Sequence, residues 1–349
     1  MRGAGIQAQG SVLRHVVPKA VLETDPRVRG LLDPPSGGTL PANVSVRTDP
    51  SGVRVVSVNI HMATPGQLAL DPRNEQVLAL RDVARFVNST DADVVLVQEV
   101  RDRPTAAALQ RGGIGDQASI LAHLLRADDM AFTPAITQDP LETAHRFYGT
   151  AIYTRNGFWI NDAFNARLPT SSPDVELRSV GVADIHPPDG RAPFTVMGTH
   201  LANRVVEDQP LRDAQLGAIV RLDAMLRGSG RASFVDALDG RSLVAEGFTR
   251  WRRVVGGDHN QLQAASDAVL APAGLRHVND LLAQTGEAGR RRAALASVAT
   301  ASVGSPGAHR IDHMHARGFA VTDSAVADVP RHELPLDATD HRTLVVDLR

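Results

Sequence analysis

The chain contains no cysteine, which excludes disulfides, zinc–thiolate sites and thiol nucleophiles. It has a single lysine, Lys19, so nearly all of its 37 basic side chains are arginines. Codon bias alone accounts for such a preference, although a planar guanidinium also suits phosphate. Aromatic residues make up only 4% of the sequence and the net charge is −2. Both argue against a surface dedicated to duplex nucleic acid, while a local arginine groove stays open. No apolar run approaches the ~18–20 residues of a membrane span. The opening segment, MRGAGIQAQGSVLRHVVPKA, lacks the apolar core of a secretory signal, which favours the cytoplasm. What is present is a core: 43% of the 349 residues are hydrophobic, enough for a large folded unit.

Residues 1–50 differ from the rest. DPPSGGTLPA at 33–42 is rich in proline and glycine and reads as a linker or an extended wrap. Residues 51–349 form one α/β domain. VRVVSVNI (53–60) and DVVLVQEV (93–100) are β-branched, buried strands, separated by an amphipathic helix from Asn74 to Thr90. ASILAHLLRA (118–127) is a short helix, and Pro210 to Leu226 a longer one. FYGTAIYTR, VELRSVGVADI and PFTVMGTHL follow one another with little helix between them, which implies antiparallel neighbours in a mixed sheet. WRRVVGGDHN, HRIDHMHARG and HRTLVVDLR supply the last strands. Residues 282–308 read as a long loop with one helical turn near 289–297, and 228–250 as an insertion.

Five strand ends carry polar residues: Asn59, Gln98-Glu99, Thr199-His200, Asp258-His259-Asn260 and Thr339-Asp340-His341. A buried strand gains nothing from a polar end unless a ligand or partner waits there. In α/β sheets ligands gather at one edge of the strands, so the five ends suggest one convergent site. Each has a plain alternative, as a loop cap, a solvated charge cluster or a turn. Asp258 and Asn260 are two apart and share a side if the strand continues, with His259 on the other. Asp312 faces away from His313 and His315, and a histidine such as His341 suits it as a partner. His313 and His315 share a face that fits either a metal or a merely polar sheet surface.

These segments, in this order, resemble the endonuclease/exonuclease/phosphatase superfamily, the DNase I-like group. The resemblance runs from about residue 53 to the C-terminus. It rests on the strand ending at Asn59, DVVLVQEV, GTHL, GGDHN, RIDH and TDHRTLVVDL. It implies a DNase I-like two-sheet sandwich of mixed β-sheets flanked by helices, with its site at one edge. It implies a divalent cation, Mg2+ or alternatively Mn2+, on Glu99 with Asp340 close by. Asn59 and Asn260 would hold the phosphate or the attacking water, and Asp258 would orient or deprotonate that water. His200 and His341 would contact the scissile phosphate, with Asp312 pairing His341 and Arg178 near the phosphate. Four positions depart from the family pattern: His61 where an acidic residue is common, His259 between Asp258 and Asn260, and His313 and His315 in place of aromatic or aliphatic residues.

The expected activity is hydrolysis of a phosphodiester by metal-assisted attack of water. The alternatives are a phosphatase acting on a small metabolite, a repurposed biosynthetic enzyme, and a silent binding protein of the same fold. The partner is accordingly a phosphate ester, either nucleic acid or a small molecule. Arg290, Arg291 and Arg292, in the predicted loop, are the best candidates for touching additional phosphates, and the Trp251-Arg252-Arg253 run is placed in a core strand and its flank.

Overall fold

The fold is described from a computed structural model, for residues 19–24, 28–47, 49–61, 72–101, 117–135, 148–171, 177–202, 209–237, 240–297, 311–329, 339 and 341–349. A helical turn, α1 (Lys19–Leu22), precedes β1 (Val53–Asn59), α2 (Pro72–Thr90), β2 (Val94–Arg101) and α3 (Gln117–Leu125). Five strands follow: β3 (Asp129–Ala135), β4 (Tyr148–Thr154), β5 (Trp159–Arg167), β6 (Ser179–His186) and β7 (Phe194–His200). Next come α4 (Gln209–Ser229), the hairpin β8 (Ala232–Val235) and β9 (Ser242–Ala245), β10 (Arg253–Asp258) and α5 (Gln263–Leu270). The chain continues with β11 (Arg276–His277), α6 (Val278–Ala283), α7 (Glu287–Leu295), β12 (Asp312–Arg317), β13 (Val321–Ala327) and β14 (Thr343–Leu348).

Twelve of these strands make two six-stranded sheets, ordered β13-β14-β1-β2-β4-β3 and β11-β12-β10-β7-β6-β5. Only β1 with β2 and β7 with β10 pair in parallel; the other pairs are antiparallel. Alternation along the strands explains the layering. Val55, Val94 and Leu96 face inward, meeting Val196, Val254 and Met314 of the second sheet. Val56, Val58, Val95 and Val97 face outward, under Leu80, Val83 and Val87 of α2 and Leu121 and Leu124 of α3. On the far side, Leu216, Ile219, Leu222 and Leu226 of α4 cover Val182, Met197 and Val255. Strands buried on both faces read as the continuous apolar runs seen in the sequence.

Residues 28–47 run across α2: Arg81 donates to the Leu31 carbonyl at 2.6 Å and Asn88 to that of Pro35 at 3.3 Å. Arg54, buried in β1, donates to the Ser45 carbonyl and forks onto Asp347 of β14 at 2.6 and 2.7 Å. No helix among the described residues is long and apolar enough to cross a membrane.

Several expectations need correction. The stretch expected to be a loop from 282 holds the end of α6 and the whole of α7, while 298–310 lie outside the described residues. Gly289 lets the two helices meet, since a Cβ there would fall 2.1 Å from the Leu282 carbonyl oxygen. Arg290, Arg291 and Arg292 are thus helical rather than loop residues. Arg291 pairs with Glu287, and Arg292 donates to the Thr322 carbonyl at the start of β13. The expected insertion at 228–250 contains the β8–β9 hairpin, and β3, β5, β13 and α5 were not foreseen.

Candidate active site

Strand direction gathers the polar ends. β1 and β2 run together, as do β7 and β10, and β12 starts opposite the end of β10, where Asp258 pairs with Asp312. β14 starts near the end of β1 because the two are antiparallel. The site therefore opens along one edge common to both sheets.

Asn59 is the junction. Its Nδ2 donates to Glu99 Oε1 at 3.0 Å and to Asp258 Oδ2 at 3.1 Å, joining one carboxylate from each sheet. Its Oδ1 accepts from the His61 amide at 2.9 Å, which fixes the orientation of the amide group. Glu99 sits in a bulge: the register of β2 against β4 shifts between Gln98 and Val100, and Glu99 takes a φ of +56°. A left-handed glutamate is strained by about 1 kcal/mol or more, and a bulge of this type re-aims a side chain out of the pleat. Here it turns the carboxylate toward Asn59.

Two histidines flank the carboxylates, and each has its orientation set from behind. His341 Nδ1 meets Asp312 Oδ2 at 2.8 Å, and its Nε2 lies 3.8 Å from Asp258 Oδ2. His200 Nε2 lies 3.6 Å from Asp258 Oδ2 and 3.8 Å from Glu99 Oε1. Its Nδ1 is 3.0 Å from the Arg178 guanidinium. A guanidinium only donates, so His200 Nδ1 must accept and the proton resides on Nε2. Burial, then the charge of Arg178, hold the His200 pKa well below its ordinary value. His200 is consequently a neutral donor, not an imidazolium. Asp258 moves the other way: burial, then the nearby Asp312 carboxylate, push its pKa up to about 7. The Asn260 amide donates to Asp258 Oδ1 at 2.8 Å and opposes that rise.

Of the residues expected at the site, Asn59, Glu99, His200, Asp258, Asp312 and His341 converge here. Arg178 stands behind His200. Asn260, at a φ of +52°, does not continue the strand; its Nδ2 donates to the Leu201 carbonyl at 3.0 Å, tying the β10 turn to the residue after His200. Asp340 lies outside the described residues. Two links were not foreseen. One is the Arg178–His200 contact. The other is Thr339, whose hydroxyl donates to the Asn59 carbonyl and accepts from the His341 amide at 3.0 Å.

Among the described residues, donor atoms of Asp258, Asp312 and His341 lie within 4.8 Å of one another, a grouping that could hold a metal ion. Asp312 Oδ2 and His341 Nδ1 are already paired at 2.8 Å, an arrangement that can also hold and pass a proton. Glu99, an oxygen donor on a re-aimed backbone, is better matched to a hard cation of the magnesium class.

No protein-family model matches the sequence, and no curated protein matches it. Solved structures do. An endonuclease/exonuclease/phosphatase from Beutenbergia cavernae is 21% identical, with a TM-score of 0.56 over 85% of this chain and 71% of that one. Truncated TDP2 from Caenorhabditis elegans is 18% identical, with a TM-score of 0.56 over 85% of this chain and 97% of that one. The human Nocturnin catalytic domain with bound sulfate is 16% identical, with a TM-score of 0.56 over 85% and 94% respectively. The chain thus has the DNase I-like fold of the endonuclease/exonuclease/phosphatase proteins.

Proposed function

We propose that the protein is a divalent-metal-dependent phosphoesterase that hydrolyses a phosphodiester by direct attack of water. The observation that carries this reading is the Asn59 bridge, which holds Glu99 and Asp258 together at 3.0 and 3.1 Å between two oriented histidines. Phosphodiesters resist hydrolysis because anionic oxygens repel the nucleophile and the leaving alkoxide is poor. Catalysis accordingly needs charge neutralisation, a base and positioned donors.

Glu99, with Asp340 near it, would hold Mg2+ or Mn2+. When bound, the cation supplies Lewis-acid neutralisation of charge developing on phosphate oxygens. Asp258, with a pKa lifted to about 7, suits a general base working near neutrality. The neutral His200 donates Nε2–H to a phosphate oxygen, and Arg178 keeps it in that tautomer. His341, oriented by Asp312, faces the scissile phosphate from the other side. Asn59 and the Asn260 turn hold the carboxylates in register. No covalent nucleophile is required, in keeping with a chain that lacks cysteine. Endonuclease, phosphatase and TDP2 among the fold neighbours, and the sulfate bound to Nocturnin, support a phosphate-like substrate.

The test is hydrolysis of bis-p-nitrophenyl phosphate against p-nitrophenyl phosphate, with Mg2+, Mn2+ or EDTA, for the wild type and His341→Ala. Diester cleavage that requires both metal and His341 is expected. Cleavage of the monoester alone would replace the reading with a phosphatase. Turnover unaffected by EDTA and by His341→Ala would remove the site assignment.

A further inference from the structure

The ladder between β1 and β14 stops short of the proposed site. It runs from Val53 opposite Leu348 to Ser57 opposite Leu344. Past that point a side chain continues the connection. Thr339, only 9% exposed, donates its hydroxyl to the Asn59 carbonyl and accepts from the His341 amide at 3.0 Å. The second of these bonds is a local turn contact of the kind threonine makes readily. The first is not local: it joins residues 280 positions apart and ties the C-terminal segment to the last residue of β1.

His341 reaches from one sheet to the other. Its backbone is held beside β1, in the first sheet, through Thr339. Its ring lies 2.8 Å from Asp312 Oδ2 and 3.8 Å from Asp258 Oδ2, both in the second sheet. Asn59 spans the same gap with its side chain, bridging Glu99 and Asp258. The Thr339 hydroxyl is therefore common to the two residues that join the sheets at this edge. Asp312 sets how the imidazole is turned, and Thr339 sets where its backbone is rooted. Because the hydroxyl acts as donor and acceptor at once, a side chain of the same shape without it leaves both backbone groups short of a buried partner.

We propose that Thr339 is a positioning residue of this site, its hydroxyl fixing the place of His341 relative to the Asn59 bridge. The kinetic consequence rests on the phosphoesterase reading, whereas the placing of the ring stands without it. Displacing a group that must meet the scissile phosphate lowers turnover more than binding.

The experiment compares the wild type with Thr339→Val, Thr339→Ser and Thr90→Val, each checked by circular dichroism and Tm. Thr90 is the control: a buried threonine at the far end of β1, whose hydroxyl donates to the Val87 carbonyl at 2.7 Å and whose carbonyl accepts from Arg54. Hydrolysis of bis-p-nitrophenyl phosphate is followed as Mg2+ is raised to saturation. The His341 ring resonances, assigned with His341→Gln, are followed by NMR. Thr339→Val should lower kcat by about 10- to 100-fold, change KM by less than about threefold, and shift the His341 resonances. Thr339→Ser keeps the hydroxyl and should restore both readouts, while Thr90→Val should lower Tm and leave both in place. Thr339→Ala replaces the valine variant if the latter does not fold. The proposal is overturned if Thr339→Val keeps kcat or leaves the His341 resonances unmoved, or if Thr339→Ser restores neither. It is also overturned if Thr90→Val loses kcat equally, or if added Mg2+ cancels the loss, which would place the effect on the cation. A wild type that cleaves no diester would remove the phosphoesterase reading, and the resonances alone would then decide the placing of His341.

Discussion

Asp312→Asn tests the Asp312–His341 pair most directly. Asp312 is 1% exposed and its Oδ2 lies 2.8 Å from His341 Nδ1, so solvent does little to screen the pair. Asparagine preserves the shape and removes the charge. A hydrogen bond to a charged group contributes about 1.5–3 kcal/mol. At about 1.4 kcal/mol per decade, losing it from the transition state lowers kcat by about 10- to 150-fold. If the new amide turns its NH2 toward Nδ1, it enforces the opposite tautomer and the loss is larger. The assay is steady-state hydrolysis of bis-p-nitrophenyl phosphate with saturating Mg2+, on protein whose circular dichroism and Tm match the wild type. A double-mutant cycle makes the result diagnostic. Because Asp312 orients His341, Asp312→Asn in a His341→Ala background should change kcat by less than about threefold when assayed well above the Asp258 pKa, where the Asp312 charge no longer decides whether Asp258 is ionised. An equal loss in both backgrounds would refute the coupling. So would an Asp312→Asn single variant within about threefold of the wild type.

Arg178→Ala removes the donor that fixes His200, and kcat should fall by about tenfold or more, with a smaller change in KM. The lost positive charge also lets the His200 pKa rise, so an NMR titration of its ring protons should give a higher pKa in Arg178→Ala than in the wild type; an unchanged titration would show that Arg178 does not set the protonation of His200. Stability in EDTA should report Asp258. Its folded pKa of about 7 lies above the ordinary 3.8, so the stability it contributes is complete below the lower value and is lost as pH rises toward about 7. The wild type should lose Tm between about pH 4 and 7 relative to Asp258→Asn, and parallel melting profiles would contradict the buried, protonated carboxyl.

Legibility in the sequence followed burial. β1 and β2 are buried on both faces and their continuous valine runs announced them, as did the polar residues that close them. β3 was hidden by Pro134, which is compatible with a strand only because β3 is the edge of its sheet. β5 carries Asn161, Asp162 and Asn165, and its register against β6 shifts between Ile160 and Asp162, so the period of two is broken. In α5 only Ser266 and Leu270 are buried, too little to make an apolar stripe. Six of the residues read from the sequence, Asn59, Glu99, His200, Asp258, Asp312 and His341, gather at one edge, but their couplings were not legible. Arg178 reaches His200 through the β6–β7 register, which places Val180 beside Thr199. The left-handed turn of Glu99 is not encoded by a glutamate. His277 meets the buried rings of His313 and His315 only through its pairing with His315.

The β10–β12 pair shows why these features belong together. Alternation sends Asp312 and Met314 toward the space between the sheets and His313 and His315 toward α5, so one backbone serves two polar layers. A slip of one residue between the strands would break the Asp258–Asp312 pairing and carry imidazoles to the edge proposed as catalytic. Register here is therefore under unusual demand, and Gly257 helps to hold it. Its φ is +138°, and a Cβ would fall 1.9 Å from the Thr199 carbonyl oxygen. Only glycine allows β10 to approach β7 so closely, one residue before Asp258 and one residue before His200. The glycine of the GGDHN turn thus fixes the distance between a proposed base and a proposed donor. Its presence follows from where those two groups must meet.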